Sequence, residues 1–228
     1  MATQNLFVML ATDLISNSIP SLQLHDTVSR ALQQMNDSDV VHLPVVADDK
    51  YLGLADEADL LDVEDSSLLL KQLSIIWPKP AVNYLDHFLN AVKIAAELKL
   101  TVVPVIKADN EFVGLITKQQ LISTLSEYTS AAEHGGIIVL ETDPRSFSLS
   151  EVSRIIETND AKILHLNTYT DKDSGQLIVS VKINRNHLQD IIATLERYEY
   201  TIKHYFGENL SAEEMKDNYE HLMNYLSI

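Results

Sequence analysis

The sequence contains no cysteine among its 228 residues. This absence excludes disulfide bonds, zinc–thiolate sites and cysteine nucleophiles, and it fits a reducing compartment. Basic residues are also scarce, because 17 lysines and arginines stand against 33 aspartates and glutamates, and the net charge is -16. Nucleic acids and anionic membranes bind clustered lysine and arginine, so we expect neither as a partner.

Long apolar runs are missing as well. The run from Leu6 to Ala11 stops at Asp13 and has no basic residues before it, unlike a secretory signal. No stretch approaches the ~20 apolar residues of a membrane helix. The hydrophobic fraction of 46% is ordinary for a globular chain. We therefore expect a soluble, cytoplasmic protein.

Signatures of catalysis and of metal binding are absent too. The sequence has no Ser-His-Asp order, His-x-x-x-His pair, P-loop or Gly-x-Gly-x-x-Gly, and its eight histidines are scattered. We expect a non-enzyme with no catalytic residues, no metal site and no required cofactor. An enzyme of unrecognised type is the alternative.

What the sequence does contain is an internal repeat of about sixty residues. Each copy predicts the order β-α-β-β-α, with an aspartate, Asp26 or Asp86, as the N-cap of its first helix. The offset grows by one residue in the turn after Val46. One copy buries too little surface to be stable alone, so we expect the two to pack as a pair. Identical residues at offsets of 60 and 61 include Pro20 and Pro80, Ala31 and Ala91, Pro44 and Pro104, Gly53 and Gly114, and Leu60 and Leu121.

The second half of each copy has a distinctive pattern: apolar-x-x-Pro-Val, a turn, apolar-x-Gly-Leu, and then an acidic or Thr-led helix. This pattern resembles the CBS (cystathionine β-synthase) repeat, and the tandem resembles a CBS pair, or Bateman module. The resemblance implies that an adenosyl compound binds in a cleft between the repeats. Candidate ligands are AMP, ADP, ATP and S-adenosylmethionine.

The resemblance also implies a ligand-binding motif, Gly-x-x-Thr/Ser-x-x-Asp, at the start of the closing helix. Its hydroxyl and the helix N-terminal amides would receive phosphate, and its aspartate would bind ribose. Neither copy is complete. The first keeps the ribose Asp59 but has Asp56 in place of the hydroxyl, and the second keeps Thr117, adds Lys118 and has Gln120 in place of the ribose aspartate.

The distribution of charge favours the second copy over the first as the phosphate-binding site. Six acidic residues crowd the ten positions from Asp56 to Asp65, and a carboxylate ~4 Å from a phosphate oxygen costs on the order of 4 kcal/mol. Plain alternatives remain: Asp56 and Glu57 are favourable partners of the helix dipole in a first turn, Asp59 to Asp65 form a solvated face, and Thr117 is a simple N-cap. A cation site at Asp56, Asp59 and Asp62 is a further alternative.

If the family geometry holds, the resemblance implies that the backbone near Tyr84 and Val102 faces the base of the ligand. The corresponding positions in the first copy are Leu24 and His42. These four residues complete the set of candidate ligand-binding residues.

After Gly135-Gly136, a predicted joint, the pattern becomes βαββαβ, with a capping box from Ser148 to Glu151. This order predicts a ferredoxin-like domain that resembles an ACT domain. The whole arrangement resembles the acetoin-utilisation accessory (AcuB-like) CBS proteins. The fold class is α+β, and the expected boundaries are 1–65 and 66–130 for the CBS repeats, 131–208 for the ACT-like domain and 209–228 for a C-terminal amphipathic helix.

The first loop of the ACT-like domain, residues 142–148, has no glycine that would let a ligand approach the backbone. Arg145 is its one candidate for binding a carboxylate. We therefore expect this domain to make a homodimer rather than to bind an amino acid. The leading hypothesis is a ligand-sensing regulator, and its rival is a non-catalytic interaction scaffold, a dimeric adaptor whose nucleotide sites are degenerate.

Overall fold

Two repeats of the same element order make up the first part of the computed structural model, which describes residues 9–16 and 18–207. The first repeat contains β1 (Leu22–Gln23), α1 (Val28–Asp37), β2 (His42–Ala47), β3 (Lys50–Asp56) and α2 (Glu57–Leu61). The second contains β4 (Val82–Asn83), α3 (Phe88–Leu98), β5 (Val102–Ile106), β6 (Phe112–Thr117) and α4 (Lys118–Tyr128). In each, a parallel pair of strands is followed by an antiparallel hairpin. The predicted β-α-β-β-α order is confirmed.

The hairpins of the two repeats differ by one residue, as the change of offset predicts. Between β2 and β3 the chain turns through Asp48 and Asp49, both with positive φ, which is the backbone of a type I′ turn. The hairpin between β5 and β6 is longer by one residue. Asp109 and Asn110 have positive φ there, a conformation that Asp and Asn tolerate better than most residues.

The predicted N-caps of α1 and α3 are wrong by one position. Thr27 caps α1, since its side chain accepts from the N–H of Arg30, and His87 caps α3 in the same way. Asp26 and Asp86 are already engaged, because each carboxylate accepts a hydrogen bond from the backbone N–H three residues before it. The aspartates therefore close the turn that leads into the helix and leave the cap to the next residue.

Each repeat is completed by the chain that precedes the other. Residues 9–16, the first crossing segment, lie before the first repeat but bond to the second, where the N–H of Ala11 donates to the carbonyl of Asp86. Residues 68–78, the second crossing segment, bond to the first repeat, where the N–H of Leu70 donates to the carbonyl of Asp26.

The crossing segments explain why each repeat has a glycine in the second strand of its hairpin. A Cβ added at Gly53 would overlap Trp77 of the second crossing segment, and one added at Gly114 would overlap Ile15 of the first. One hydrophobic cluster takes in the sheets of both repeats. The two repeats therefore form a single packed pair, as predicted.

The chain divides into two compact units at residue 125. The second unit contains β7 (Ile137–Thr142), α5 (Leu149–Thr158), β8 (Ile163–Thr170), β9 (Leu177–Ile183), α6 (Gln189–Arg197) and β10 (Thr201–Phe206). Its antiparallel strands follow the order β10-β7-β9-β8. This is the predicted ferredoxin-like arrangement, with α5 and α6 contributing to one core.

Two details of this unit differ from expectation. Ser148 caps α5, but the Glu151 carboxylate accepts from the hydroxyl of Tyr200 at 2.8 Å. Gly136, predicted to be part of a joint, is bonded within the unit, since its N–H donates to Arg185 and its carbonyl accepts from Ile183. The predicted C-terminal helix, 209–228, lies outside the described residues. Among residues 9–16 and 18–207, no helix is long and apolar enough to cross a membrane.

Candidate functional site

A cleft of about 800 Å³ opens where β6 meets α4. Three further elements form its other walls: the first crossing segment with the residues just after it, the end of α1, and the residue before β5. We call it the Thr117 cleft. Its lining includes Ser16, Ser18, Ile19, Asp37, Ser38, Asp39, Val40, Thr101, Thr117, Lys118, Gln119, Gln120, Ile122 and Ser123. The predicted residues of the second motif, Thr117, Lys118 and Gln120, are therefore brought together in one cleft.

Thr117 has the geometry of a helix N-cap. Its Oγ1 accepts a hydrogen bond of 3.0 Å from the N–H of Gln120, which satisfies one of the unpaired donors at the start of α4. A threonine hydroxyl that accepts through one lone pair still has its hydrogen to donate. Capping and phosphate binding are therefore compatible roles for Thr117.

Lys118 supplies the positive charge of the cleft. Its side chain is exposed, and its ammonium makes no ion pair with the described residues. Its backbone N–H donates to the carbonyl of Thr101 at 2.9 Å, which ties the first residue of α4 to the chain before β5. The lysine is therefore placed beside the helix N-terminus, where both attract an anion.

Negative charge also lines the cleft. Asp37 and Asp39, at the end of α1, are exposed residues that line the cleft. The C-terminus of a helix carries a partial negative charge of its own. The cleft thus combines one lysine with two aspartates and several hydroxyls. This balance suits a ligand of low net negative charge with groups that form hydrogen bonds.

The other two residues predicted from the second copy are not part of this lining. Val102 is fully buried and is the strand partner of Thr117. The backbone of Tyr84 is engaged, since its N–H donates to Ile106 and its carbonyl accepts from Thr12 of the first crossing segment. The polar backbone groups of Tyr84 are therefore already paired within the protein.

The residues predicted from the first copy lie on the equivalent strand and helix ends. Asp56 caps α2, and its Oδ1 accepts from the N–H of Ala58 at 2.8 Å. Asp59 is exposed. Leu24 packs partly against the core, and its carbonyl accepts from the N–H of Lys71. At the position equivalent to Thr117, the first copy thus has a carboxylate, which caps α2.

Of the remaining acids between Asp56 and Asp65, Glu57 is partly buried, and Asp62, Glu64 and Asp65 are exposed to solvent. The hydroxyl and the backbone N–H of Ser67 donate to the Asp65 carboxylate and lower its pKa. No group of three or more His, Asp or Glu side chains within the described part of the chain is placed to hold a metal ion. The solvated face, rather than the cation site, is the alternative that this geometry favours.

His42 differs from the other candidates because it is buried, with 8% of its surface exposed. Its Nδ1 lies 3.0 Å from Thr101 Oγ1, and the N–H of Thr101 donates to the same nitrogen at 3.3 Å. Its Nε2 lies 3.3 Å from Asp56 Oδ2. Burial lowers the pKa of His42, and the nearby Asp56 carboxylate opposes this only in part.

Several lining residues were not among the sequence candidates: Ser16, Asp37, Asp39 and Thr101. They belong to three segments far apart in the chain, so no local motif joins them. One signal was available, since the counterpart of Thr101 in the first copy is Val41. A hydroxyl at a position that is apolar in the other repeat indicates a polar environment.

In the second unit, the predicted loop residue Arg145 is exposed. Its backbone N–H donates to the Asp143 carboxylate at 2.7 Å, and its guanidinium makes no ion pair with the residues that the structure describes. An exposed arginine on a loop is weak evidence for a carboxylate site.

The family model described as the CBS domain matches residues 11–66. This segment belongs to the CBS domain family. The second repeat has the same elements and the same strand pairing, so the first unit is a pair of CBS repeats. The match begins inside the first crossing segment, which shows that the family unit includes the chain before β1.

Solved structures of CBS proteins resemble this chain over about half of its length. A CBS domain pair/ACT domain protein from Thermotoga maritima is 19% identical, with a TM-score of 0.48 over 53% of this chain and 98% of its own. A protein described as an acetoin utilization protein (AcuB) from Vibrio cholerae is 19% identical, with a TM-score of 0.46 over 54% of this chain and 94% of its own. CBSX2 in complex with AMP is 19% identical, with a TM-score of 0.45 over 53% of this chain and 98% of its own. Similarity at this level carries no argument about the ligand.

Proposed function

We propose that this CBS protein is a cytoplasmic, non-catalytic regulator that senses an adenosyl ligand in the Thr117 cleft. The observation that carries the proposal is the convergence of Thr117, Lys118 and Gln120 on one cleft. A hydroxyl, an ammonium and a helix N-terminus are the groups that recognise phosphate, and an amide side chain can bind ribose hydroxyls. The cleft volume, about 800 Å³, falls within the usual range for small-molecule sites.

The charges of the cleft narrow the class of ligand. Lys118 can neutralise part of one phosphate group, whereas Asp37 and Asp39 repel further negative charge. A carboxylate ~4 Å from a phosphate oxygen costs on the order of 4 kcal/mol at an effective dielectric near 20. AMP or S-adenosylmethionine should therefore bind more tightly than ATP, and ATP should require Mg²⁺.

Thermal unfolding of the full chain with AMP, ADP, ATP and S-adenosylmethionine, each with and without Mg²⁺, tests this function. A ligand at ~100 times its dissociation constant adds about 2.7 kcal/mol of stability. Calorimetric titration of any ligand that raises Tm then gives its affinity. The absence of a shift with every ligand would overturn the sensor function.

A matched pair of lysine variants tests whether the phosphate of the ligand binds in the Thr117 cleft. Lys118 lines the cleft, whereas Lys93 is exposed on α3 outside that lining. Lys118→Gln should weaken AMP about tenfold, which corresponds to 1.4 kcal/mol, and should change adenosine little, because adenosine lacks the phosphate. Lys93→Gln should leave both affinities unchanged. Equal losses for AMP and adenosine would place the phosphate elsewhere.

For the second unit we propose dimerisation through its sheet. β8 and β10 are the two edge strands, and residues 167–170 at the end of β8 are exposed. An exposed edge presents unpaired backbone groups that a second copy can satisfy. Light scattering after size exclusion should give twice the 25.6 kDa mass of the chain. A monomer at every concentration would contradict the proposal.

The interaction scaffold is the second candidate, and one observation favours it. Asp56 stands at the position of the phosphate-binding hydroxyl in the first copy, and it already caps α2. With Gln120 at the ribose position of the second copy, neither motif is complete. The scaffold predicts a dimer that shows no thermal shift with any adenosyl ligand.

A further inference from the structure

The tautomer of His42 follows from its hydrogen bonds. A backbone N–H can only donate, so the contact from the Thr101 N–H requires Nδ1 of His42 to be an acceptor. The proton of the neutral ring must then lie on Nε2, where it faces Asp56 Oδ2 at 3.3 Å. Thr101 Oγ1 accepts from the N–H of Val41 at 3.2 Å and is free to donate its own hydrogen to Nδ1. Every contact of the ring is therefore satisfied in its neutral form.

These contacts hold a residue of the Thr117 cleft in place. Thr101 lines the cleft, and its carbonyl accepts from the N–H of Lys118, the first residue of α4. His42 belongs to the first repeat and Thr101 to the second, so the contact crosses between the repeats. Movement of Thr101 would disturb both a lining hydroxyl and the start of the helix that would receive the phosphate.

The arrangement occurs in one copy only. In the alignment of the two copies, Val102 is the residue equivalent to His42, and Val41 is the residue equivalent to Thr101. Valines at both positions cannot form the equivalent hydrogen bonds. The hydrogen bonds between His42 and Thr101 therefore have no counterpart at the equivalent positions of the other copy. They lie next to the start of α4, which contains Lys118.

Protonation of the ring would disrupt this arrangement. With a hydrogen on Nδ1, the ring can no longer accept from the N–H of Thr101, so two donors would face each other at 3.3 Å, and the Thr101 hydroxyl would have to turn from donor to acceptor. The ionisable group that faces His42 within the described residues is Asp56, at the end of β3, and the residue facing it from the second repeat, Thr101, is neutral. Burial disfavours the charged ring more than Asp56 favours it, so the pKa of His42 is lowered.

We infer that His42 is a positioning residue for the Thr117 cleft: the neutral ring holds Thr101 in the binding arrangement, and protonation releases it and weakens the ligand. This inference rests on the proposed function of the cleft. It adds a regulatory input, acidity, that acts from the first repeat on a ligand held mainly by the second.

Two variants of His42 separate its contacts. His42→Asn places an amide oxygen near the position of Nδ1 and keeps an acceptor for the N–H of Thr101. His42→Gln places its amide near Nε2 and keeps the contact with Asp56 alone. By calorimetry with AMP at about pH 7.5, near which unperturbed histidine is neutral, we expect His42→Asn to bind like the wild type and His42→Gln to bind about tenfold more weakly.

The pH profile provides a readout that a purely structural role would not affect. Between about pH 7.5 and about pH 4.5, a range that extends well below the ordinary histidine pKa because the pKa of His42 is lowered, AMP affinity should fall at least about threefold further in the wild type than in His42→Asn. The titration of AMP itself is the same in both proteins and cancels. By reciprocity, saturating AMP should lower the pKa of the His42 ring, measured by NMR of the wild type.

The outcomes distinguish this inference from the function on which it rests. If the wild type binds no AMP, ADP, ATP or S-adenosylmethionine at either pH, the proposed function fails and the positioning role falls with it. If the wild type binds but its pH profile equals that of His42→Asn, or if AMP leaves the pKa of His42 unchanged, only the positioning role is overturned.

Discussion

The N–H of Ala11 donates a hydrogen bond of 2.7 Å to the carbonyl of Asp86, so the chain that leads into the first repeat is bonded to the second. The N–H of Leu70 makes the matching bond to Asp26 at 2.9 Å. The two crossing segments tie the repeats together through the backbone as well as through the shared core. Stability of the pair should therefore depend strongly on the two crossing segments.

Leu70 anchors the second crossing segment, with 1% of its surface exposed. Leu70→Ala should reduce the free energy of unfolding by about 2–5 kcal/mol, because it removes buried methyl groups and leaves a cavity. Ile76 in the same segment is 95% exposed, and Ile76→Ala should change the free energy of unfolding by no more than about 0.5 kcal/mol. Urea unfolding followed by circular dichroism measures both, and similar values would contradict the anchoring role.

Gly53 lies against the backbone and Cβ of Trp77, with no room for a side chain. Gly53→Ala should cost about 1–3 kcal/mol or more, since overpacking forces the backbone to shift. Gly175 has a φ of +70° but nothing within 4 Å of an added Cβ, so Gly175→Ala isolates the conformational cost, about 1–2 kcal/mol. The close approach is refuted if Gly53→Ala destabilises the protein no more than Gly175→Ala.

His42 should make stability depend on pH in a defined direction. Because burial lowers its pKa in the folded state, the unfolded state, with a pKa of about 6.5, binds a proton more readily. The contribution of His42 is therefore complete above this value and is lost as the pH falls from it toward the lowered pKa. Chemical unfolding across this range should show a steeper loss in the wild type than in His42→Asn, and parallel curves would be inconsistent with a lowered pKa.

Thr117 should affect both folding and binding. Thr117→Ala removes the N-cap of α4 and should cost about 0.5–2 kcal/mol of stability, and it should also weaken AMP because the hydroxyl donor is lost. Thr117→Ser keeps the hydroxyl and should restore most of both properties. Unfolding and calorimetry on the same samples separate the two effects. Full AMP affinity in Thr117→Ala would mean that Thr117 is only a cap.

Tyr200, the residue before β10, is linked to α5, because its hydroxyl donates to Glu151 at 2.8 Å. Tyr200→Phe should cost about 0.5–1.5 kcal/mol, the usual value of one hydrogen bond. Tyr205, on β10, is 46% exposed, and Tyr205→Phe should have no measurable effect in the same urea unfolding experiment. An equal effect of the two substitutions would show that the bond to Glu151 does not contribute.

Much of the fold could be predicted because its signals are local or repeated. The recurrence of Pro44 at Pro104 and of Gly53 at Gly114 defines both hairpins, including the one-residue insertion. The predicted N-caps are wrong because an aspartate carboxylate can accept a hydrogen bond from the backbone before it as well as from a helix N-terminus. Asp26 closes a turn through the N–H of Gln23, and this bond removes it from the cap.

The candidate site could be predicted only where it is contiguous. Thr117, Lys118 and Gln120 share one turn of helix, so their proximity follows from the sequence. Ser16 and Thr101 reach the same cleft through the first crossing segment and through the contact with His42. Such placement depends on long-range packing, to which no spacing in the sequence corresponds. That this cleft binds an adenosyl ligand stays a prediction.

The exchange of crossing segments bears on how such a duplicated chain can arise. A lone copy would have to take its missing segment from a neighbour, so it would be complete only as a swapped homodimer. Joining two copies in one polypeptide turns this mutual exchange between molecules into an exchange within one molecule, with no dilution penalty. It also frees the two halves to diverge, as His42 and Val102, or Asp56 and Thr117, have done. The duplication thus places both exchanges within one chain, in which the two repeats need not be identical.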